Sequence, residues 1–358
     1  MSKLFSQQLL EWHTKHGRHN LPWQIEKTPY RVWVSEIMLQ QTQVTKVIPY
    51  FVRFIEAYPS PTAVALSQYD PVARLWAGLG YYRRVQYFWQ SCCIIHDKYN
   101  GYVPTHPDIL QQLPGIGRST AHAIASISTN LAVPILDANV IRVLCRYHAF
   151  KEIPQKAASQ RQLWQWAYTH MPTTQCSEYS QAIMDLGATV CSKTPQCSRC
   201  PLHTTCTGFK LGIAHTLPTT QSRRKRPTRQ RYYLLLYHSS HLYLVKRPSK
   251  GVWPLLWCLP EFNTVSSLQL WLREHNYPSA HERGSIAHSF SHYHLTMHIF
   301  SIRVSSTTSL PIALDKLDLY PLPSPLASRL TYDIMIKIID ESYYECNTSK
   351  HLLLQTSA

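Results

Sequence analysis

The sequence predicts a multidomain protein, an all-α amino-terminal half followed by a smaller α+β domain. Three observations predict it. The chain has 358 residues, about two domains at the usual 100–200 residues each. Helical patterning with short Pro and Gly breaks runs from Phe5 to about Val190. After Cys206 the character changes to a basic, Pro-containing stretch and then to short apolar runs separated by turns. A hydrophobic content of 44 % is enough to build real cores, which excludes wholesale disorder.

In the first half, Thr28-Pro29 and Asp70-Pro71 each place a capping residue before a proline, the signature of a helix start. Val32, Trp33, Ile37 and Met38 fall near helical spacing. Residues 84–99, 119–128, 140–148 and 160–169 read the same way, punctuated by Gly78, Gly80, Gly101, Gly115 and Gly117. Residues 211–231 carry Pro218, Pro227 and the run Arg223, Arg224, Lys225, Arg226, Arg229, Arg231, and read as a linker. Beyond it, 232–238 with 242–246 and 284–290 with 293–304 read as strand pairs, and 268–275 and 324–339 as helices. The expected organisation is a helical domain at 1–210, a linker at 211–231, a second domain at 232–345 and a tail at 346–358. No apolar run reaches the ~18 residues of a membrane span, and the first nineteen residues lack the pattern of a signal peptide. A cytoplasmic protein is expected, nucleoid-associated if bacterial.

Thirty-six Lys and Arg against twenty Asp and Glu give +16, although only 16 % of residues are charged. So one-sided a charge favours a polyanionic partner, of which nucleic acid is the commonest. Cys191, Cys197, Cys200 and Cys206 crowd into one short segment, which points to a metal centre in a reducing compartment instead of a disulfide framework. Chemistry alone leaves zinc and an iron–sulfur cluster both open.

Leu113-Pro114-Gly115-Ile116-Gly117-Arg118-Ser119 makes a tight turn directly before a helix. Its exposed backbone N–H groups can cradle a phosphate without reading a base. Some twenty residues on, Asp137 follows Ile135-Leu136 and precedes Ala138-Asn139-Val140, the position of a helix cap at the edge of a core. Glu36 lies in a predicted helix beside Trp33, Ile37 and Leu39. A solvated helix face would account for a lone Glu, whereas burial there would raise its pKa enough to hold a proton near neutrality, as a general acid must.

The hairpin with Asp137 at this spacing resembles the helix-hairpin-helix superfamily of base-excision glycosylases. The string Val34-Ser35-Glu36-Ile37-Met38-Leu39-Gln40-Gln41-Thr42-Gln43-Val44 resembles the adenine DNA glycosylase (MutY) family almost residue for residue. So do Leu21-Pro22-Trp23, Gly78-Leu79-Gly80-Tyr81-Tyr82 and Met184-Asp185-Leu186-Gly187-Ala188. The likeness extends through the whole chain, from Phe5 to the terminal helix. It implies a helix-hairpin-helix glycosylase domain with a [4Fe–4S] cluster loop at Cys191, Cys197, Cys200 and Cys206, plus a Nudix-like domain. Five residues separate the first two cysteines here, where the family usually has six. The resemblance also implies that Glu36 protonates adenine, that Asp137 stabilises the sugar cation, and that Asn139 positions water or Asp137. It implies adenine-pocket roles for Trp23, Gln24 and Gln181. It places Gln41, Tyr81, Leu21, Gly115, Gly117 and Ser119 against duplex DNA, and reads the opposite 8-oxoguanine or guanine with Phe290, Ser291 and His292. Glycosylases with full lyase activity carry a lysine just after the hairpin. Ser119 stands there and cannot form an imine, so a monofunctional, monomeric enzyme is expected.

Other readings fit less. An endonuclease III-type pyrimidine glycosylase is opposed by Ser119 and by the extra domain. A nucleotide pyrophosphohydrolase would need a Glu-rich helix, whereas Arg273-Glu274 is followed by His275, Asn276 and Tyr277. A DNA-binding module without chemistry would leave Glu36 and Asp137 unexplained together.

Overall fold

Prolines and small polar caps set where many of the helices begin. Thr28 caps Pro29–Leu39, its side chain accepting the Arg31 N–H at 3.3 Å, and Ser60 likewise receives the Ala63 N–H at the start of Pro61–Ala65. The computed structural model describes residues 2–221, 225–238, 241–304, 312–328 and 330. In chain order the first helices are α1 Ser2–His16, α2 Pro22–Ile25, α3 Pro29–Leu39, α4 Val44–Ala57, α5 Pro61–Ala65, α6 Tyr69–Trp76, α7 Arg83–Tyr99 and α8 Pro107–Leu110. There follow α9 Arg118–Thr129, α10 Ala138–Tyr147, α11 Ala157–His170, α12 Cys176–Thr189 and α13 Thr207–Lys210. None is long and apolar enough to cross a membrane.

The chain divides into two units, residues 1–67 with 87–223 and residues 68–86 with 224–358. In the first, α1, α10, α11 and α12 enclose a core of Phe5, Leu9, Val143, Leu144, Leu163, Tyr179, Ile183 and Leu186. Phe5 stands edge-on to Tyr147 at 4.8 Å and stacks on His170 at 4.1 Å, ring geometries that add to simple burial.

The second unit is built on a mixed sheet of β1 Thr228–His238, β2 His241–Leu242, β5 Glu261–Phe262, β6 His281–Ser289, β7 His294–Arg303 and β8 Ile312–Ala313. A separate two-stranded sheet pairs β3 Val245–Lys246 with β4 Trp257–Cys258. β1 runs parallel to β7 from Thr228 opposite His294 to Tyr237 opposite Arg303. Alternate β1 residues bury on opposite faces. Leu234 and Leu236 meet Leu268 and Leu272 of α14 Val265–Glu274, while Tyr233, Leu235 and Tyr237 meet Leu256, Leu259, Leu295 and Met297. A core on each face explains the uninterrupted apolar run of β1.

Several expectations need correction. Asp70 is not a cap: α6 begins at Tyr69, and the Asp70 carboxylate instead accepts Lys246 Nζ at 2.6 Å and Trp257 Nε1 at 2.9 Å. Residues 242–246 are not one strand, since Val245 and Lys246 turn away to β4. β1 starts at Thr228, inside the stretch read as linker, because its basic first residues already pair with β7. Ser324–Ala327 forms the helix α15. It ends there, with Ser328 as its cap, short of the helix expected to residue 339; residues 329 and 331–339, Arg223 and Arg224 of the basic run, and the tail lie outside the described residues.

Candidate active site and cluster loop

α3 buries Val32, Trp33, Val34, Ile37 and Met38, leaving Glu36 half-buried on the same helix with Leu39 half-buried beyond it. Burial first, and the Asp137 charge second, raise the Glu36 carboxyl to a pKa of about 8. A carboxylic acid held neutral at physiological pH is a proton donor.

Asp137 caps α10. Its Oδ1 accepts the Val140 N–H at 2.7 Å and its Oδ2 accepts Asn139 Nδ2 at 2.9 Å. Burial pushes the Asp137 pKa up, while these hydrogen bonds and the charge of Arg142 pull it back. Both carboxyls are thus raised above their ordinary values, Glu36 to about 8, and they differ in their partners: Asp137 accepts two N–H donors, which favour its anion. The cap uses one Asp137 oxygen, and Asn139 holds the other.

Behind Asp137 runs a chain of polar contacts that the sequence reading missed. Arg142 Nη2 donates to Asn139 Oδ1 at 2.8 Å and to the Gly187 carbonyl at 2.6 Å, and its Nε donates to the Cys191 carbonyl at 2.7 Å. Asn139 is therefore held between Asp137 and an arginine that grips the cysteine loop. A Cβ on Gly187 would lie 2.7 Å from that of Asn139, so only glycine lets α12 approach this closely. The available signal was an arginine one turn into the helix that Asp137 caps.

The hairpin precedes α9. Gly115 has φ +78°, and a Cβ there would meet Tyr87 Cβ at 2.8 Å, so this turn needs glycine. Gly117, the residue before α9, has an ordinary φ and open space around it. Ser119 Oγ accepts the Leu136 N–H at 3.1 Å, tying the hairpin helix to the segment that delivers Asp137.

Gln24 Nε2 donates to Gln181 Oε1 at 2.9 Å, joining α2 to α12, and the Leu21 N–H points to Gln24 Oε1 at 3.4 Å. Trp23 is buried edge-on to Phe51 at 5.3 Å. Gln41 is exposed at the turn after α3 with φ +57°. Tyr81, in the second unit, is 48 % exposed with φ +51°. Both residues that the resemblance assigns to the DNA stack thus hold a left-handed backbone, a conformation that side-chain-bearing residues keep at a cost of order 1–3 kcal/mol and that clusters at functional positions.

Cys191, Cys197, Cys200 and Cys206 line one small cavity of about 20 Å³ together with Arg146, Val190 and Phe209. They share a wall without closing to the spacing of a single ion: among the described residues no three ligand-type side chains form a metal-ion site. The donor set, four cysteines lining one cavity, fits a thiolate-held group. Burial, and after it the neighbouring thiols, push up the thiol pKa values of Cys197, Cys200 and Cys206, that of Cys200 to about 12. Arg146, only 3 % exposed, holds the loop by donating to the carbonyls of Cys191, Ser192, Lys193 and Leu217 and to Cys191 Sγ. Arg146→Met is expected to lower the unfolding free energy by about 3–5 kcal/mol, because several buried carbonyls lose a charged donor together. Urea titration checks this, and a loss under 1 kcal/mol would contradict it. Lys193 and Arg199 are exposed on the same loop.

In the second unit the Phe290 N–H closes on the Tyr293 carbonyl at 2.9 Å, exposing Ser291 and His292 on a tight turn. Phe290 is not free to wedge in this arrangement, since it packs on Trp253, His288 and Tyr293 at 4.6–5.2 Å. Ser291 Oγ lies 3.4 Å from His292 Nδ1.

Residues 34–168 match the HhH-GPD superfamily of base excision DNA repair proteins, and residues 231–331 match the NUDIX domain family. The chain is similar to an adenine DNA glycosylase of Buchnera aphidicola subsp. Acyrthosiphon pisum (strain APS), 38 % identical over 304 residues covering 84 % of this chain and 87 % of that one. It is also similar to the adenine DNA glycosylase of Homo sapiens, 30 % identical over 372 residues covering 85 % and 68 %. Among solved structures, a thermostable thymine-DNA glycosylase superposes with TM-score 0.54 at 23 % identity, over 59 % of this chain and 97 % of that one, which shows a shared fold. With both family matches in place and relatives at least 30 % identical over more than two thirds of each chain, the chain belongs to the adenine DNA glycosylase family.

Proposed function

We propose that this protein is a monofunctional DNA glycosylase that excises adenine paired with 8-oxoguanine or guanine and leaves an abasic site. The observation that carries the reading is the pair of unlike carboxyls, Glu36 raised to a pKa of about 8 and Asp137 accepting hydrogen bonds from the Val140 N–H and Asn139 Nδ2. Adenine leaves poorly unless protonated, and its departure makes the sugar positive. Glu36 gives its proton to the base, then takes one from the attacking water. Asp137, ionised and fixed by Val140 and Asn139, faces the developing cation, the division of labour that glycoside hydrolysis uses elsewhere. Ser119 supplies no amine, so no imine forms with the sugar and the strand stays intact.

The base must leave the stack first, at a cost of a few kcal/mol. Gln41 and Tyr81, with Leu21, would fill the gap, and Trp23, Gln24 and Gln181 would receive the adenine. Gly115, Gly117 and the start of α9 would hold a backbone phosphate. Phe290 would support the turn on which Ser291 and His292 meet the oxidised base. Cys191, Cys197, Cys200 and Cys206 would hold a [4Fe–4S] cluster, which supplies a structural anchor for the loop when bound, and the family's cysteine order favours it over zinc. The protein would act as a monomer in the cytoplasm, or at the nucleoid in a bacterium.

Incubation with a duplex carrying adenine opposite 8-oxoguanine tests the reading. Strand breakage only after alkali, with little action on an A·T pair, is the expected result. Breakage without alkali, or release of a pyrimidine instead, would overturn it.

A further inference from the structure

The second unit holds a basic cleft that the excision chemistry does not use. It encloses about 120 Å³ and is lined by Arg229, Arg231, Arg247, Tyr233, Trp253, Glu261 and Tyr293, with Val252 and Leu295. Glu261 organises it. Its Oε2 accepts Arg247 Nη1 at 2.5 Å and the Tyr233 hydroxyl at 2.9 Å, and its Oε1 lies 3.3 Å from Arg231 Nε. Arg247 Nε donates to the Val252 carbonyl at 2.9 Å. The Arg247 guanidinium also faces the Trp253 ring at 5.9 Å, and that of Arg229 lies over Tyr293 at 4.7 Å. Three guanidiniums against one carboxylate leave two net positive charges in a concave site.

We propose that this cleft is a phosphate-binding site. Arginine forks match phosphate oxygens in pairs, and a concave site of one sign concentrates its potential on an incoming anion. The forks are already ordered by Glu261, by the Val252 carbonyl and by aromatic faces, so little side-chain freedom remains to be lost on binding. Size decides how much enters: about 120 Å³ is well below the usual 300–1,000 Å³ of small-molecule pockets, so the phosphate goes in and any sugar or base stays outside. The cleft adjoins the Ser291–His292 turn, because Tyr293 lines the cleft and its carbonyl closes that turn on the Phe290 N–H. Two sources present the required group: a backbone phosphate beside the nucleotide met by that turn, or the phosphate of a free nucleotide. Only the first rests on the proposed function.

The test uses the full chain in three forms, wild type, Arg229→Gln and Arg231→Gln, with thermal melts confirming that each is folded. Arg229 is exposed and Arg231 half-buried, so either can change without opening a core. Calorimetric titration with inorganic phosphate and with dGMP probes free anions. Fluorescence anisotropy with an uncleavable duplex over a salt series probes the backbone. Wild type is expected to bind a free anion saturably, or the duplex with a log K against log salt slope steeper by about one than either variant. Free-anion binding weakened about tenfold in the variants, with an unchanged duplex slope, assigns the site to a nucleotide. A reduced slope that one methylphosphonate linkage reproduces assigns it to the DNA backbone. If wild type takes up neither phosphate nor dGMP and all three proteins share one slope, the site is not a phosphate site. None of these readouts depends on adenine release, so failure here is distinct from failure of the glycosylase reading.

Discussion

Glu36→Gln is expected to lower the single-turnover rate of adenine excision by about 10²–10⁴-fold, the range for loss of a general acid, while making the protein more stable at alkaline pH. The sign follows from the raised pKa. In the folded chain Glu36 keeps its proton up to about pH 8, whereas the unfolded chain ionises near its ordinary value of about 4.5. Folding is therefore unaffected by Glu36 at pH values below that ordinary value. It is progressively disfavoured as pH rises between the two values, and the cost levels off above about 8. Glutamine carries no such cost. The variant should gain about 2–5 kcal/mol over wild type near pH 9, and the difference should vanish towards about pH 4. Wild-type excision should decline on the alkaline side as pH passes about 8. Melting curves at two pH values together with a rate profile check both statements. A variant that melts no higher than wild type at alkaline pH would mean that Glu36 ionises freely in the fold.

Asp137→Asn is expected to cost about 10²–10³-fold in excision, the range for removing one preorganised electrostatic contact, with little change in stability. Asparagine caps a helix as well as aspartate does, so the Val140 N–H keeps an acceptor, while the charge and the acceptor facing Asn139 Nδ2 are lost. Asp137→Ala should lose comparable activity and in addition about 1 kcal/mol, because α10 loses its cap. Comparing the two by denaturation and by single-turnover kinetics separates the roles. Equal stability losses in both variants would show that the charge, and not the cap, secures α10.

Features visible in the sequence were those that neighbouring residues determine. Thr28-Pro29 starts a helix because the cap and its acceptor lie three residues apart. Asp137 was read as a cap for the same reason, and Gly115 as a turn because its φ demands it. Asp70-Pro71 carries the same local signal as Thr28-Pro29, yet its carboxylate is claimed by Lys246 and Trp257, some 180 residues away. No local pattern announces that competition. The early start of β1 depends on pairing with β7, and the Arg142 chain depends on the approach of Gly187 and Cys191 from another part of the sequence. The carboxyl pair was legible as residue types, but the burial, and after it the Asp137 charge, that raise the Glu36 pKa exist only once α3 and the start of α10 are folded.

The grouping of residues 68–86 with the second unit bears on the order in which the chain matures. These residues leave the ribosome some 140 positions before the strands they join. Tyr82, whose ring belongs to the same core as Leu235 and Leu256 and whose hydroxyl lies 3.1 Å from Ser324 Oγ, must wait for the carboxy-terminal part to be made. Asp70 likewise has no Lys246 or Trp257 to bind until then. A chain halted at the linker would present this segment without its core, as surface available to chaperones and proteases. The two domains are thus not independent modules in biosynthesis: the first-made half carries a piece of the second, and the second is complete only when its own strands arrive to cover it.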